Sequence, residues 1–202
     1  MTETSPHIGV REITPSDGEF LVDMVLEAAN WETAEGGEPR LNRRHVLTTP
    51  RLARYANGWG RQGDLGLVAF DLDGPSGLQI PVGAAWIRYF PSTEPGYGFL
   101  EPGVPELSMA IIPGRRRLGI GRALLGSLLV RAREGGARRL SLSVGATNPA
   151  RHLYEQSGFV VVEDQPRDGE LGSSLTMVAE LGPVASSTVP SSSSTSATGE
   201  DA

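Results

Sequence analysis

The chain has 202 residues, 39% of them hydrophobic, which is enough for one domain with a core of its own. Its formal net charge of −6 argues against general nucleic-acid binding and is compatible with cationic acceptors. The absence of cysteine excludes a thiol nucleophile, a cysteine-ligated zinc and disulfides, and with three scattered histidines no metal site is expected.

The amino-terminal residues have neither the basic nor the apolar region of a signal peptide, and no apolar run is long enough to span a membrane. A cytoplasmic protein without membrane contact is therefore expected. Residues 8–13 alternate in polarity and predict a first strand. Thr14, Pro15 and Asp17 supply an N-cap, an N1 proline and an acidic first turn for a helix with Phe20, Leu21, Met24, Val25 and Ala28 on its core face. Residues 30–39 read as a mobile loop, and 41–55 as a second helix interrupted at Pro50. Two strand-like runs at 65–72 and 82–90, joined by a hairpin loop at 73–77, complete three antiparallel strands. The Gly/Pro-rich segment 91–105 carries Glu94, Tyr97, Phe99 and Glu101. It is longer than most connections, and either contributes to a functional site or is a solvated loop.

From Glu106 the pattern becomes strand, turn and helix. Leu107, Met109 and Ile111 alternate with Ser108, Ala110 and Ile112, and Pro113 ends the pairing. Ile120, Ala123, Leu124, Leu128 and Leu129 then recur at helical spacing. Between them lies Arg116-Arg117-Leu118-Gly119-Ile120-Gly121. Glycines there permit close backbone approach, and the opening N–H groups of a helix bind anions, with Arg115, Arg116, Arg117 and Arg122 adding charge. A phosphate or pyrophosphate ligand is indicated. All 18 basic residues are arginine, which rules out a P-loop with its required lysine. A dinucleotide fingerprint fits poorly, because Leu124 stands at the third glycine position and 138–144 holds no acidic residue.

Gly135-Gly136 stops the helix, and residues 140–144 alternate as a second strand, giving a crossover unit with parallel strands. Asn148 and Pro149 then suit the N-cap and first position of a short helix that Gly158 must end. Residues 160–162 and 175–181 supply a final hairpin. The segment from 183 onward is rich in Ser, Thr, Ala, Pro and Gly, too poor in apolar residues to offset its ordering entropy, and is expected to be disordered. The folded domain is thus placed at 1–182, with a tail at 183–202.

The run Arg116-x-x-Gly119-x-Gly121, after a strand and opening a helix, resembles the acetyl-coenzyme A loop of the GNAT superfamily of N-acetyltransferases. Asn148-Pro-Ala-Arg-His-Leu-Tyr154-Glu-Gln-Ser-Gly158-Phe159 resembles the second signature of the same superfamily, in the right order and at the right spacing. The close resemblance covers roughly residues 80–162.

This resemblance implies an α/β domain with a mixed, mostly antiparallel sheet splayed at a central parallel pair, and helices on both faces. It implies direct, metal-free transfer of an acetyl group from acetyl-coenzyme A to a primary amine, of a small molecule or a peptide. Glu106 would accept the amine proton, with Glu101 as a rival, and Tyr154 would act as general acid beside the coenzyme sulfur. Backbone groups of Met109, Ala110, Ile111 and Ile112 would pair with the pantetheine arm. Amides of Leu118, Gly119, Ile120, Gly121 and Arg122, with Arg116 and Arg117, would hold the pyrophosphate. Asn148 either contacts the pantetheine or simply caps its helix. A non-catalytic acyl-coenzyme A sensor or regulatory module is the alternative, and the chain could be a monomer or a homodimer.

Overall fold

The computed structural model describes residues 7–33, 40–166 and 173–182. The expected tail at 183–202 and most of the 30–39 loop lie outside the described residues. The described residues form seven strands: β1 (Ile8–Glu12), β2 (Leu65–Asp71), β3 (Ile80–Arg88), β4 (Glu106–Ile111), β5 (Arg139–Gly145), β6 (Val160–Pro166) and β7 (Ser173–Glu180). They form one sheet in the order β1-β2-β3-β4-β5-β7-β6. Every pair of neighbours is antiparallel except β4 and β5. Those two strands share a single register position, Glu106 opposite Ser141, next to a hydrogen bond of 3.1 Å from the Ser141 N–H to the Pro105 carbonyl. Beyond that point β4 remains paired with β3 as far as Ile111 opposite Gly83, while no further pairing joins it to β5. The sheet is therefore splayed at its one parallel pair.

Helices cover both faces. α4 (Ile120–Glu134) and α5 (Ala150–Gln156) lie on one side; α1 (Gly18–Ala29), α2 (Arg43–Thr48) and α3 (Pro50–Ala53) lie on the other. The period of two in β3 divides its side chains between two cores: Ala85 and Ile87 join Leu124 and Leu128 of α4, whereas Ala84 and Trp86 join Leu21 and Met24 of α1. Val82 breaks the alternation. The register against β2 shifts there, and the resulting bulge turns Val82 toward the α4 side.

Local chemistry explains the element ends. A 3-10 turn at Pro15–Asp17 precedes α1, and Asp17 Oδ2 accepts the Thr14 N–H at 2.7 Å. Arg11 grips both oxygens of Asp17, each at 2.7 Å, so the carboxyl is held down at about 2, chiefly by this hydrogen bonding. The expected break at Pro50 falls at Thr49, which the following proline forces into the extended region between α2 and α3. Two core faces are rotated slightly from expectation. In α1 Val22 is buried and Ala28 exposed, and in α4 Leu125 and Ala132 are buried in place of Ala123.

Where α3 meets β3 a buried ion pair fixes the frame. Arg88 reaches Asp64 through Nε at 2.9 Å and Nη2 at 2.6 Å, and donates to the carbonyls of Arg54, Asn57 and Gly58. All five donors of the guanidinium are thereby engaged in holding residues 54–58 against the sheet.

Candidate active site

The splay between β4 and β5 opens into a cleft of 930 Å³. Met109, Ala110 and Ile111 form one wall and Ser143, Val144 and Gly145 the other, with α1, α3 and α5 around them. The two ends of this cleft differ in charge, and they are separated by the length of β4, roughly 17 Å for six residues.

At the end reached by the C-terminus of β4, Arg117 and Gly119 both adopt left-handed backbone conformations, at φ 61° and 82°. Gly119 opens α4 without any side-chain cap, and the first intrahelical bond is Ala123 N–H to the Gly119 carbonyl. The N–H groups of Ile120, Gly121 and Arg122 precede that bond and are available to an anion, aided by the positive end of a helix of 15 residues. A Cβ at Gly121 would stand 3.5 Å from Leu153 and 3.7 Å from Met109, both in the cleft wall.

Arg116, Arg117 and Arg122 line this end. The Arg116 side chain is tied by Nε to the Ile111 carbonyl at 3.0 Å and by Nη2 to Glu27 at 3.1 Å. Burial raises the Glu27 carboxyl, an effect that Arg116 partly offsets. Arg122 donates to Gln156 at 2.6 Å, whereas exposed Arg117 has no side-chain partner among the described residues. Arg115, expected near the anion, turns away to Asp71 at 2.5 Å and does not line the cleft.

At the opposite end stands Glu106, only 3% exposed. Its Oε1 accepts the Tyr55 hydroxyl at 2.6 Å and the Gly98 N–H at 2.8 Å. The Tyr55 oxygen in turn accepts the Tyr97 N–H at 2.5 Å, and the two tyrosine rings stack with centroids 6.2 Å apart. Burial, and secondarily the Glu106 charge, push the Tyr55 phenol well above its usual range, so it remains a donor. Trp31 lines the cleft further along, packed against Gly145 at the C-terminal end of β5.

Tyr154 on α5 also faces the cleft and packs edge-on against Phe159. Burial raises its phenol, and among the described residues its hydroxyl has no hydrogen-bond partner. Asn148 lines the cleft, but α5 starts one residue later than expected, with Pro149 and not Asn148 at the N-cap; from the position before it Asn148 Oδ1 accepts the Ala150 N–H at 2.9 Å.

Of the two carboxylates weighed from the sequence, Glu106 lies in the cleft, and Glu101 pairs with Arg139 on the surface. Ile120 is buried in the α4 core, Leu118 is exposed, and Ile112 packs against both cores; none of these three lines the cleft. Tyr55, Trp31, Glu27 and Ser143 line the cleft without having been expected as site residues. Nothing local singles out Tyr55, which lies in the turn after α3; its contact with Glu106 of β4 does. Among the described residues, no group of three or more His, Asp or Glu side chains is placed to hold a metal ion.

Comparison with known proteins adds the following. A family model described as the acetyltransferase (GNAT) family matches residues 27–159. The [ribosomal protein bS18]-alanine N-acetyltransferase of Haemophilus influenzae is 41% identical over 56 residues, which are 28% of this chain and 38% of that relative. The matched stretch thus spans under two fifths of that protein. Among solved structures, a phosphinothricin acetyltransferase from Sinorhizobium meliloti in complex with acetyl-coenzyme A superposes with a TM-score of 0.60 at 21% identity, covering 87% of this chain and 89% of that one. A ribosomal-protein-alanine N-acetyltransferase from Brucella melitensis gives 0.58 at 24% identity, covering 85% and 99%. At such identities these likenesses establish the fold.

Proposed function

The chain belongs to the acetyltransferase (GNAT) family, and from that membership we propose that it transfers the acetyl group of acetyl-coenzyme A directly to a primary amine. The observation that carries this reading is that one cleft, walled by β4, holds the open helix start at Gly119 to Arg122, the Tyr154 phenol and the Glu106 carboxylate.

The amides of Ile120, Gly121 and Arg122, with Arg116 and Arg117, bind the pyrophosphate of the cosubstrate. The edge of β4 left unpaired by β5, at Met109 to Ile112, offers its backbone to the pantetheine arm and an N–H to the thioester oxygen. Glu106 removes the proton of the ammonium group, directly or through water, so that a neutral amine attacks the carbonyl carbon. The new N–C bond forms as the C–S bond breaks; Glu106, its first proton already passed to solvent, takes the second amine proton, and the sulfur departs toward Tyr154 as a thiolate that is then protonated from solvent. Because burial holds the proton on this phenol, Tyr154 acts by donating a hydrogen bond to the developing thiolate. The products are an N-acetyl amide and the free thiol.

Calorimetric titration with acetyl-coenzyme A tests the reading, on the wild type and on Gly121→Trp, whose bulk projects into the cleft. Binding that is lost in the variant, followed by thiol release with one member of an amine panel, is the expected result. The panel includes a peptide beginning with alanine, because that is the acceptor residue of the partial relative from Haemophilus influenzae. Absence of binding by the folded wild type overturns the reading, and binding without turnover across the panel favours a sensor.

A further inference from the structure

Residues 95–98 are held at four consecutive points. Arg54 donates to the Pro95 carbonyl at 2.7 Å and Arg51 to that of Gly96 at 3.3 Å. The Tyr97 N–H reaches the Tyr55 oxygen at 2.5 Å, and the Gly98 N–H reaches Glu106 at 2.8 Å. The Tyr97 ring lies between the Tyr55 ring and the Arg51 guanidinium, which sits 4.2 Å from its centroid. Gly96 has no room for a side chain, since a Cβ would stand 2.1 Å from Glu106 Oε2 and 2.6 Å from the Tyr55 oxygen.

Tyr55 touches both partners: its hydroxyl donates to the carboxylate and accepts the N–H of the loop. We propose that Tyr55 is a positioning residue, which fixes the Glu106 carboxylate and latches the 95–98 segment to it, so that base and acceptor-side loop are set as one unit. This rests on the reading of Glu106 as the base. A hydroxyl that donates to a carboxylate favours its ionised form, and with Tyr55 in place Glu106 stays ready to accept a proton at lower pH than it otherwise would.

Across β3 the register partner of Glu106 is Arg88, whose charge is committed to Asp64; across β5 it is the neutral Ser141; from the turn after α3 and from the loop come Tyr55 and Tyr97. Among these, Tyr55 is the group whose removal deletes a donor to the carboxylate while leaving every charge in place.

The titration itself needs no known acceptor. Glutamate side-chain carboxyls are labelled with carbon-13, the Glu106 resonance is assigned by its loss in Glu106→Gln, and its titration is followed by NMR. In Tyr55→Phe the midpoint is expected to rise by about one pH unit, tenfold in the ionisation constant, while acetyl-coenzyme A affinity holds within about twofold. Site-specific 3-fluorotyrosine at position 55, a more acidic and stronger donor of nearly the same size, is expected to lower the midpoint, and it serves should Tyr55→Phe not fold. An unchanged midpoint in the folded variants overturns the proposal. A rise accompanied by loss of acetyl-coenzyme A affinity also overturns it, since that marks general loosening. Turnover by Glu106→Gln equal to wild type sinks the base reading itself, a result distinct from either midpoint.

Discussion

Gly98 lies against the backbone of β5, so close that a Cβ on it would stand 2.4 Å from the Leu142 carbonyl carbon and 2.6 Å from the Ser143 nitrogen. The 91–105 segment thus enters the mouth of the splay and contacts both strands of the parallel pair, β5 through this packing and β4 through the Gly98 N–H on Glu106. Gly98→Ala cannot be accommodated by rotating a side chain, because the obstructing atoms are backbone. It is expected to lower stability by about 1–3 kcal/mol in urea unfolding and to depress thiol release more than acetyl-coenzyme A affinity. A variant as active and stable as wild type would show that the loop does not seat there.

The two proposed proton-handling groups can be removed without emptying their places. Glu106→Gln retains an acceptor for Tyr55 and Gly98, and Tyr154→Phe keeps the ring packed on Phe159. Each is expected to cut turnover by about 10²–10⁴-fold while the calorimetric affinity for acetyl-coenzyme A changes little. Full activity in either variant removes that residue from the mechanism.

Stability of the α3 side depends on the Arg88–Asp64 pair, in which the two side chains are 1% and 3% exposed. Asp64→Ala leaves a buried guanidinium without its counter-charge, and a loss of about 3–5 kcal/mol is expected in thermal or urea unfolding. Replacing both partners together, as Arg88→Met with Asp64→Leu, is expected to recover part of this loss. A single variant within 1 kcal/mol of wild type, an order-of-magnitude threshold of about surface-pair size, would contradict the assignment.

Asp17 gives the fold a pH-dependent contribution with a definite sign. Its carboxyl is depressed to about 2 from 3.8, so the stabilisation is fully present above the unfolded value and disappears as pH falls through that window. Because Arg11 is 45% exposed, solvent screening reduces the effect to about 1 kcal/mol. Asp17→Asn should therefore be less stable than wild type at neutral pH, and the two unfolding curves should converge by about pH 2. A gap that persists there would locate the effect in packing.

The residues that gave themselves away in the sequence are those whose role is local. The alternation of β4, the Gly119 and Gly121 turn, the α4 stripe, and the short helix that Gly158 stops are all written in spacings of two to four residues. That unit, with the parallel pair it implies, was legible, and so were the antiparallel strands before it and the final hairpin. Glu106 was legible as a carboxylate at the start of β4, but its preference over Glu101 was not, since both precede or open the same strand. What places Glu106 in the cleft and Glu101 against Arg139 is the direction each side chain takes once β4 is paired.

Tertiary structure alone decided the rest of the site. Tyr55 meets Glu106 across 51 residues of chain and Tyr97 across 42, contacts that exist only because Arg88 pins residues 54–58 to β3 and because the 91–105 loop folds into the splay. The physical reason for the division is range. Backbone hydrogen bonding and helix or strand periodicity act over a few residues and leave a pattern that can be read along the chain, whereas a buried carboxylate takes its donors from whatever packing brings near, and that convergence leaves no mark on the spacing of residues.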